Sequence, residues 1–250
     1  MIAEQTEEQA DESLAEQGEP LPAAAPRPRE ILVVCRANRG RSPAAAFLLR
    51  REAARRGVEV PIRDAGLYVD AGHRPIARLD DLVRPWGLEM ADHEATSLTL
   101  DEPDAVALLV TFEAALKRDL ASLEPSVVDR LFTLRELVRL SSSPAWESAA
   151  VPRSRPPATA GGADASGQAR VDAVVRSLHR LRPLVDPGDD DTPDPAGVRR
   201  TRGMRRLLDQ LVYDTERIAS LLWGPSSSPG ASASDTPASE SSSGSAAGAP

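Results

Sequence analysis

Ile31-Leu32-Val33-Val34-Cys35-Arg36-Ala37-Asn38-Arg39-Gly40-Arg41-Ser42-Pro43 is the stretch on which the reading of this chain turns. An apolar run ends in the chain's one cysteine, Cys35, and Arg41 follows six residues later. A continuous apolar run suits a strand covered on both faces, as in parallel sheets. A strand ending at Cys35 delivers the thiol to the carboxyl edge of such a sheet, where open α/β folds bind ligands. Pro43 then lies in the first turn of a helix, where a missing N–H is tolerated. Loop and helix amides converge on an anion at such a place, and the helix dipole favours negative charge. Cysteines at helix N-termini exist more readily as thiolates. Arg41 brings a planar fork that grips two phosphate oxygens, and Ser42 is placed to hydrogen-bond the sulfur or the loop backbone. These parts suit phosphoryl transfer to sulfur, with positioning and charge stabilisation supplying most of the catalysis. A small buried hydrophobe is the plainer reading of a lone cysteine after a strand. It leaves the Asn, the Gly and the Arg-Ser-Pro ending unexplained.

The segment Val34-Cys35-Arg36-Ala37-Asn38-Arg39-Gly40-Arg41-Ser42-Pro43 resembles the opening motif Val-Cys-x-Gly-Asn-x-x-Arg-Ser-Pro of the low-molecular-weight protein tyrosine phosphatase family. Val58 to Leu67 is similar to that family's second strand and its Ser-Ala-Gly turn. Gly72-His73-Arg74-Pro75 and Arg78 to Val83 resemble the next turn and helix, and Gly87 to Ala95 the stretch ending in a histidine. Asp104 to Val110 and Leu131 to Leu137 stand for the third strand and for the fourth with its exit. Asp191-Thr192-Pro193-Asp194-Pro195 resembles the late Asp-Pro of the family. The likeness covers most of residues 30–140 and 170–223.

The resemblance implies roles. Cys35 is the expected nucleophile, forming a phosphocysteine. Arg41 binds the phosphoryl oxygens. Asp194 protonates the leaving oxygen and then serves as base for water, with Asp191 as the rival acid. Residues 36–42 (Arg36, Ala37, Asn38, Arg39, Gly40, Arg41 and Ser42) form the phosphate-binding loop. Asn38, Ser42, His93 and Asp64 support it, and an Asn suits a loop position with left-handed backbone. The expected activity is hydrolysis of phosphate monoesters, protein phosphotyrosine foremost. The expected partner is a phosphorylated protein, a bacterial tyrosine kinase among the candidates.

This chain also departs from the pattern. Ala37 replaces a Gly, and Gly40 stands where many members carry a second cysteine, so oxidised Cys35 has no neighbouring thiol to trap it. Asp64 replaces a buttressing Ser, and pairing with Arg36 or Arg39 would offset its charge. Those two extra arginines bias the pocket towards acidic substrates, and Arg39 disfavours a guanidinium-bearing phosphoarginine. Ala196-Gly197 lie where tyrosine phosphatases of the family often have aromatic rings, which leaves Tyr68 and Trp86 as candidate walls. Two other readings stay open. An arsenate reductase would need a low-molecular-weight thiol, because the chain has no further cysteine. A non-catalytic anion-sensing or regulatory module would have little use for Cys35, Arg41 and Asp194 together.

Residues 1–29 carry seven acidic residues by Glu19, then a Pro/Ala-rich run. Residues 141–169 and 224–250 are rich in Ser, Gly, Ala and Pro. None buries enough apolar surface to offset ordering entropy, so a disordered tail is expected at each end and a disordered insertion at 141–169. The domain is expected over residues 30–223. Strands at 30–35, 58–63, 104–110 and 129–133 alternate with helices at 43–57, 75–86 and 112–121, and helices at 170–182 and 199–223 follow. That order predicts an α/β fold: a doubly wound, four-stranded parallel sheet with helices on both faces.

The net charge of −8 argues against general nucleic-acid binding. Three His and one Cys indicate no metal site, and no cofactor is implied. No apolar run approaches a membrane span or a signal h-region. With a single free thiol, these features predict a cytoplasmic protein without membrane attachment. One lysine, Lys117, beside many arginines is the bias of a GC-rich genome of the actinobacterial kind.

Overall fold

The computed structural model describes residues 29–70, 74–90, 92–149 and 163–225. Of the tails expected at 1–29 and 224–250, residues 1–28 and 226–250 lie outside the described residues, as do Gly72, His73 and the middle of the insertion. Strands β1 (Glu30–Cys35), β2 (Ile62–Gly66), β3 (Val106–Thr111) and β4 (Leu131–Thr133) form a four-stranded parallel sheet in the order β2-β1-β3-β4. The fold expected from the sequence is the one observed. Successive side chains of a strand point to opposite faces. Ile31, Val33 and Cys35 therefore join one core while Leu32 and Val34 join another. Both faces are covered, which is why the run has no polar alternation.

Seven helices flank the sheet among the described residues: α1 (Arg41–Arg55), α2 (Ala77–Val83), α3 (Ala114–Leu123), α4 (Leu134–Ser141), α5 (Pro144–Glu147), α6 (Ala163–Leu181) and α7 (Thr201–Trp223). Leu116 and Leu120 of α3 meet Leu32, Val34, Leu109 and Leu131 on one face. Helices α1, α4, α6 and α7 fill the other face. The first half of α7 turns Met204, Leu207 and Leu208 onto Leu79, Val83 and Met90, fastening α2 beside the loop after β1.

Several boundaries differ from the sequence expectation. The second strand begins at Ile62, not 58, because Pro61 has no amide for the ladder. The second helix stops at Val83, and Pro85 sits in a 3-10 turn beyond it. Helix α4 was expected only as the exit of a strand. Its signal is Thr133-Leu134-Arg135-Glu136, whose Thr and Glu form a reciprocal capping box. The 141–169 stretch, expected to lack structure, contains the short helix α5 and the first turns of α6. Val171, Val174, Val175 and Leu178 anchor α6 in the core. From that nucleus the helix extends backward through Gly167, Ser166 and Asp164, whose own propensity is weak.

Candidate active site

Strand β1 ends at Cys35, residues 36–40 turn, and α1 begins at Arg41. The Cys35 thiol is buried, with 4% exposure, and the Ser42 hydroxyl lies 3.0 Å from its sulfur and 3.1 Å from the Ala65 carbonyl. Ser42 also accepts a hydrogen bond of 3.0 Å from Asn38. A hydroxyl has one proton, so Ser42 donates to either the sulfur or Ala65. A thiolate at Cys35 draws that proton to itself.

Asn38 is the hub of the loop. Its φ is +51°, the one positive φ at a non-glycine among the described residues. Its side-chain amide donates to Ser42 and, over 2.9 Å, to Asp64. Its side-chain carbonyl accepts from the Thr96 amide at 2.8 Å. His93 Nε2 lies 2.8 Å from the Asn38 backbone carbonyl and 3.1 Å from its side-chain oxygen. Both are acceptors, so that nitrogen carries the proton. Gly66, at the end of β2, presses against this hub: a Cβ there would stand 2.8 Å from the Asn38 nitrogen. Asp64, Ser42 and His93 thus meet at Asn38. Asp64 pairs with Arg50 at 3.0 Å and approaches His93 at 4.0 Å. The expected pairing with Arg36 or Arg39 does not occur.

Those two arginines go elsewhere. Arg36 is exposed and its guanidinium lies 4.8 Å from the centre of the Tyr68 ring, whose hydroxyl donates to Asp119 at 3.1 Å. Tyr68 thereby stands beside the loop. Trp86 packs against the core instead. Arg39 donates to the backbone carbonyl of Arg74 at 2.6 Å. Ala37 is half-buried. Gly40 is enclosed: a Cβ there would meet Leu79 at 3.2 Å, Ile76 at 3.3 Å and Pro195 at 3.5 Å. The position of the absent second cysteine is therefore filled by neighbouring apolar side chains.

Arg41 is 3% exposed, so its charge needs compensation on the spot. It donates to the Thr192 carbonyl at 2.8 Å and pairs with Glu113, and Asp194 Oδ2 stands 3.7 Å away. Glu113 was missed by the sequence reading. Its signal was position: a carboxylate immediately beyond the end of β3, at the same carboxyl edge that carries Cys35. Thr96 was missed as well, because its contribution is a backbone amide, which residue type does not announce.

The two rival acids have different surroundings. Asp191 Oδ1 accepts from the Ala114 amide at 2.6 Å, capping α3, and its carbonyl accepts from Arg135. Asp194 is about half exposed, at 49%, and beside Arg41. One of its oxygens accepts from the Ala196 amide at 2.9 Å and fixes the turn Pro195–Gly197. The other faces the guanidinium. Among the described residues no cluster of His, Cys, Asp and Glu is arranged to hold a metal ion.

Comparison with known proteins speaks to the family and the fold. Residues 30–149 match the family model described as low molecular weight phosphotyrosine protein phosphatase. The match ends before Asp194. Over 109 residues the chain is 31% identical to a probable low molecular weight protein-tyrosine-phosphatase, EpsP, of Ralstonia solanacearum, spanning 44% of this chain and 72% of that protein. Among solved structures, a low molecular weight protein tyrosine phosphatase from T. tengcongensis shares the fold with a TM-score of 0.52 and 18% identity, over 76% of this chain and 97% of that one. The YwlE arginine phosphatase of Geobacillus stearothermophilus has a TM-score of 0.51 and 21% identity over 78% and 93%. The tyrosine phosphatase Wzb of Escherichia coli K30, solved with sulphate, gives 0.51 and 17% over 78% and 99%. At these identities the solved structures speak for the fold, and the curated relative carries the family: the chain belongs to the low molecular weight protein tyrosine phosphatases.

Proposed function

We propose that this protein hydrolyses phosphotyrosine in a protein substrate through a phosphocysteine at Cys35. The observation that carries the reading is the convergence of the Cys35 sulfur, the Ser42 hydroxyl and the buried Arg41 on one loop, with Asp194 across from it. The phosphoryl group sits in the loop, where backbone amides and the Arg41 fork bind its equatorial oxygens. The Cys35 thiolate attacks phosphorus in line, forming the S–P bond as the P–O bond to tyrosine breaks. Asp194 gives its proton to the departing phenolate oxygen. The resulting Asp194 carboxylate then takes a proton from water, whose oxygen attacks phosphorus and breaks the S–P bond. Inorganic phosphate leaves, the thiolate is restored, and the Ser42 hydroxyl stabilises it. Glu113 and the Thr192 carbonyl hold the guanidinium in place throughout. Asp194 is the better acid because its second oxygen faces Arg41 of the phosphate loop, whereas Asp191 is turned to the start of α3.

A cytoplasmic phosphoprotein is the substrate in this proposal, a bacterial tyrosine kinase being one such protein. No helix among the described residues is long and apolar enough to cross a membrane. The test is turnover of a generic aryl phosphate by the wild-type chain, its loss in Cys35→Ser, and capture of a phosphorylated protein by that variant. Folded wild-type protein without aryl phosphatase activity would overturn the proposal.

A further inference from the structure

Five arginines, Arg199, Arg200, Arg202, Arg205 and Arg206, crowd the start of α7, and all are exposed. Cations oppose the dipole at a helix N-terminus, and this first turn has neither an acidic residue nor a side-chain cap. The arginines are therefore there in spite of the helix. Among the described residues Arg200, Arg202, Arg205 and Arg206 form no ion pair. The carboxylates just upstream are committed elsewhere: Asp190 to Arg139, Asp191 to the Ala114 amide and Asp194 towards Arg41. The patch adjoins the catalytic loop, since Pro195 packs against Gly40 and Val198 against Gly203. Arg39 and Arg74 extend the positive charge along the other side of that loop.

The chain carries its own complement to this surface. Glu4, Glu7, Glu8, Asp11, Glu12, Glu16 and Glu19 place seven negative charges in a segment with no cation before Arg27. We propose that residues 4–19 seat on the arginine face of Arg200, Arg202, Arg205 and Arg206, beside the mouth of the catalytic loop. Reach permits it. Arg29 is pinned at the amino edge of the sheet by the carbonyls of Asp104 and Val106 and by Asp172. The six residues of β1 separate that edge from the loop by about 20 Å. Residues 20–28 span at most about 30 Å when extended. A tether of that length also keeps the acidic segment at high effective concentration near the patch. The seating rests on charge and reach and does not depend on catalysis.

The test uses the full chain with Cys35→Ser and Ala10→Cys, so that a nitroxide label sits only within the acidic segment. Paramagnetic broadening is read on backbone amides. At low ionic strength the amides of residues 199–207 should lose most of their intensity, and high salt should restore it, because screening acts over about 10 Å at 0.1 M. Replacing Arg200, Arg202, Arg205 and Arg206 with Gln, all at exposed positions, should abolish the broadening. Mixing spin-labelled protein with unlabelled isotope-enriched protein should leave these amides sharp. Broadening spread evenly over the surface, broadening that survives the four Gln substitutions, or broadening that arises only between molecules would each overturn the proposal. So would its absence, which leaves the face to an external anion.

Discussion

Asn38 shows how much one residue does in the loop. It supplies a left-handed backbone and engages Ser42, Asp64, Thr96 and His93. Alanine loses these side-chain bonds and adds strain of roughly 1–2 kcal/mol at that φ. Glycine loses the same bonds without the strain. Asn38→Ala should therefore lower kcat/KM by about 100-fold, the scale of a misplaced reacting group, and Asn38→Gly should cost less. Equal losses in steady-state assays would mean that backbone strain is irrelevant here. The paired acids separate in the same way. Asp194→Ala should slow phenols with high pKa by about 100-fold or more and good leaving groups much less. Asp191→Ala should leave that dependence intact while costing about 1 kcal/mol of stability through the lost cap on α3. Rate measurements over a series of aryl phosphates check both, and a reversed pattern would make Asp191 the acid. The opening motif named Cys35, Arg41, Asn38 and Ser42 because their chemistry is local in sequence. Glu113 stayed hidden because it reaches Arg41 only through the sheet, 72 residues away.

At the scale of elements, α4 and α7 show two ways in which helix ends are secured. Thr133 and Glu136 close the start of α4 reciprocally, and Glu136 also receives Lys117 at 2.6 Å and Arg182 at 2.9 Å. The end of α7 is closed from outside. Arg170 of α6 donates to the Leu221 and Leu222 carbonyls, and Arg56 donates to Gly224. Both are cations at a helix C-terminus, where the dipole favours them. Thr133→Ala should destabilise the fold by about 1 kcal/mol, the usual worth of an N-cap side chain, while leaving Glu136 its two cations. Urea denaturation reads this directly, and an unchanged midpoint would mean that the salt bridges alone hold the turn. The T-x-x-E pattern of α4 was legible in the sequence. The backward reach of α6 to Ala163 was not, because the packing of its second half decides it.

For the whole molecule, Asp214 ties stability to pH. It lies buried on α7, with one oxygen accepting from Gln210 at 2.7 Å and the other without a partner. Burial is the largest influence and pushes its carboxyl above the ordinary range, against the opposing pulls of the Gln210 hydrogen bond and of Arg135 and Arg217. The folded state therefore holds this proton at pH values where the unfolded chain, with a carboxyl near 3.9, has released it. Linkage gives the sign: the contribution of Asp214 is fully present below the unfolded value and is lost as pH rises through the folded one. Asp214→Asn should unfold at a higher denaturant concentration than wild type at pH 7, and the gap should narrow in acid. A variant less stable than wild type at neutral pH would show that the carboxylate is compensated.

The sequence by itself determined the parallel sheet, the loop after its first strand and the family, because apolar runs, turn residues and the Cys-to-Arg spacing act over short stretches of chain. Only the tertiary structure decided which distant groups complete the loop. Asp64 turned to Asn38 and Arg50 rather than to the loop arginines, and Asp191 was taken by α3 while Asp194 was left beside Arg41. Side-chain type limits what a charged group can bind. Which partner it meets depends on how strands and helices bring distant segments to the carboxyl edge of the sheet.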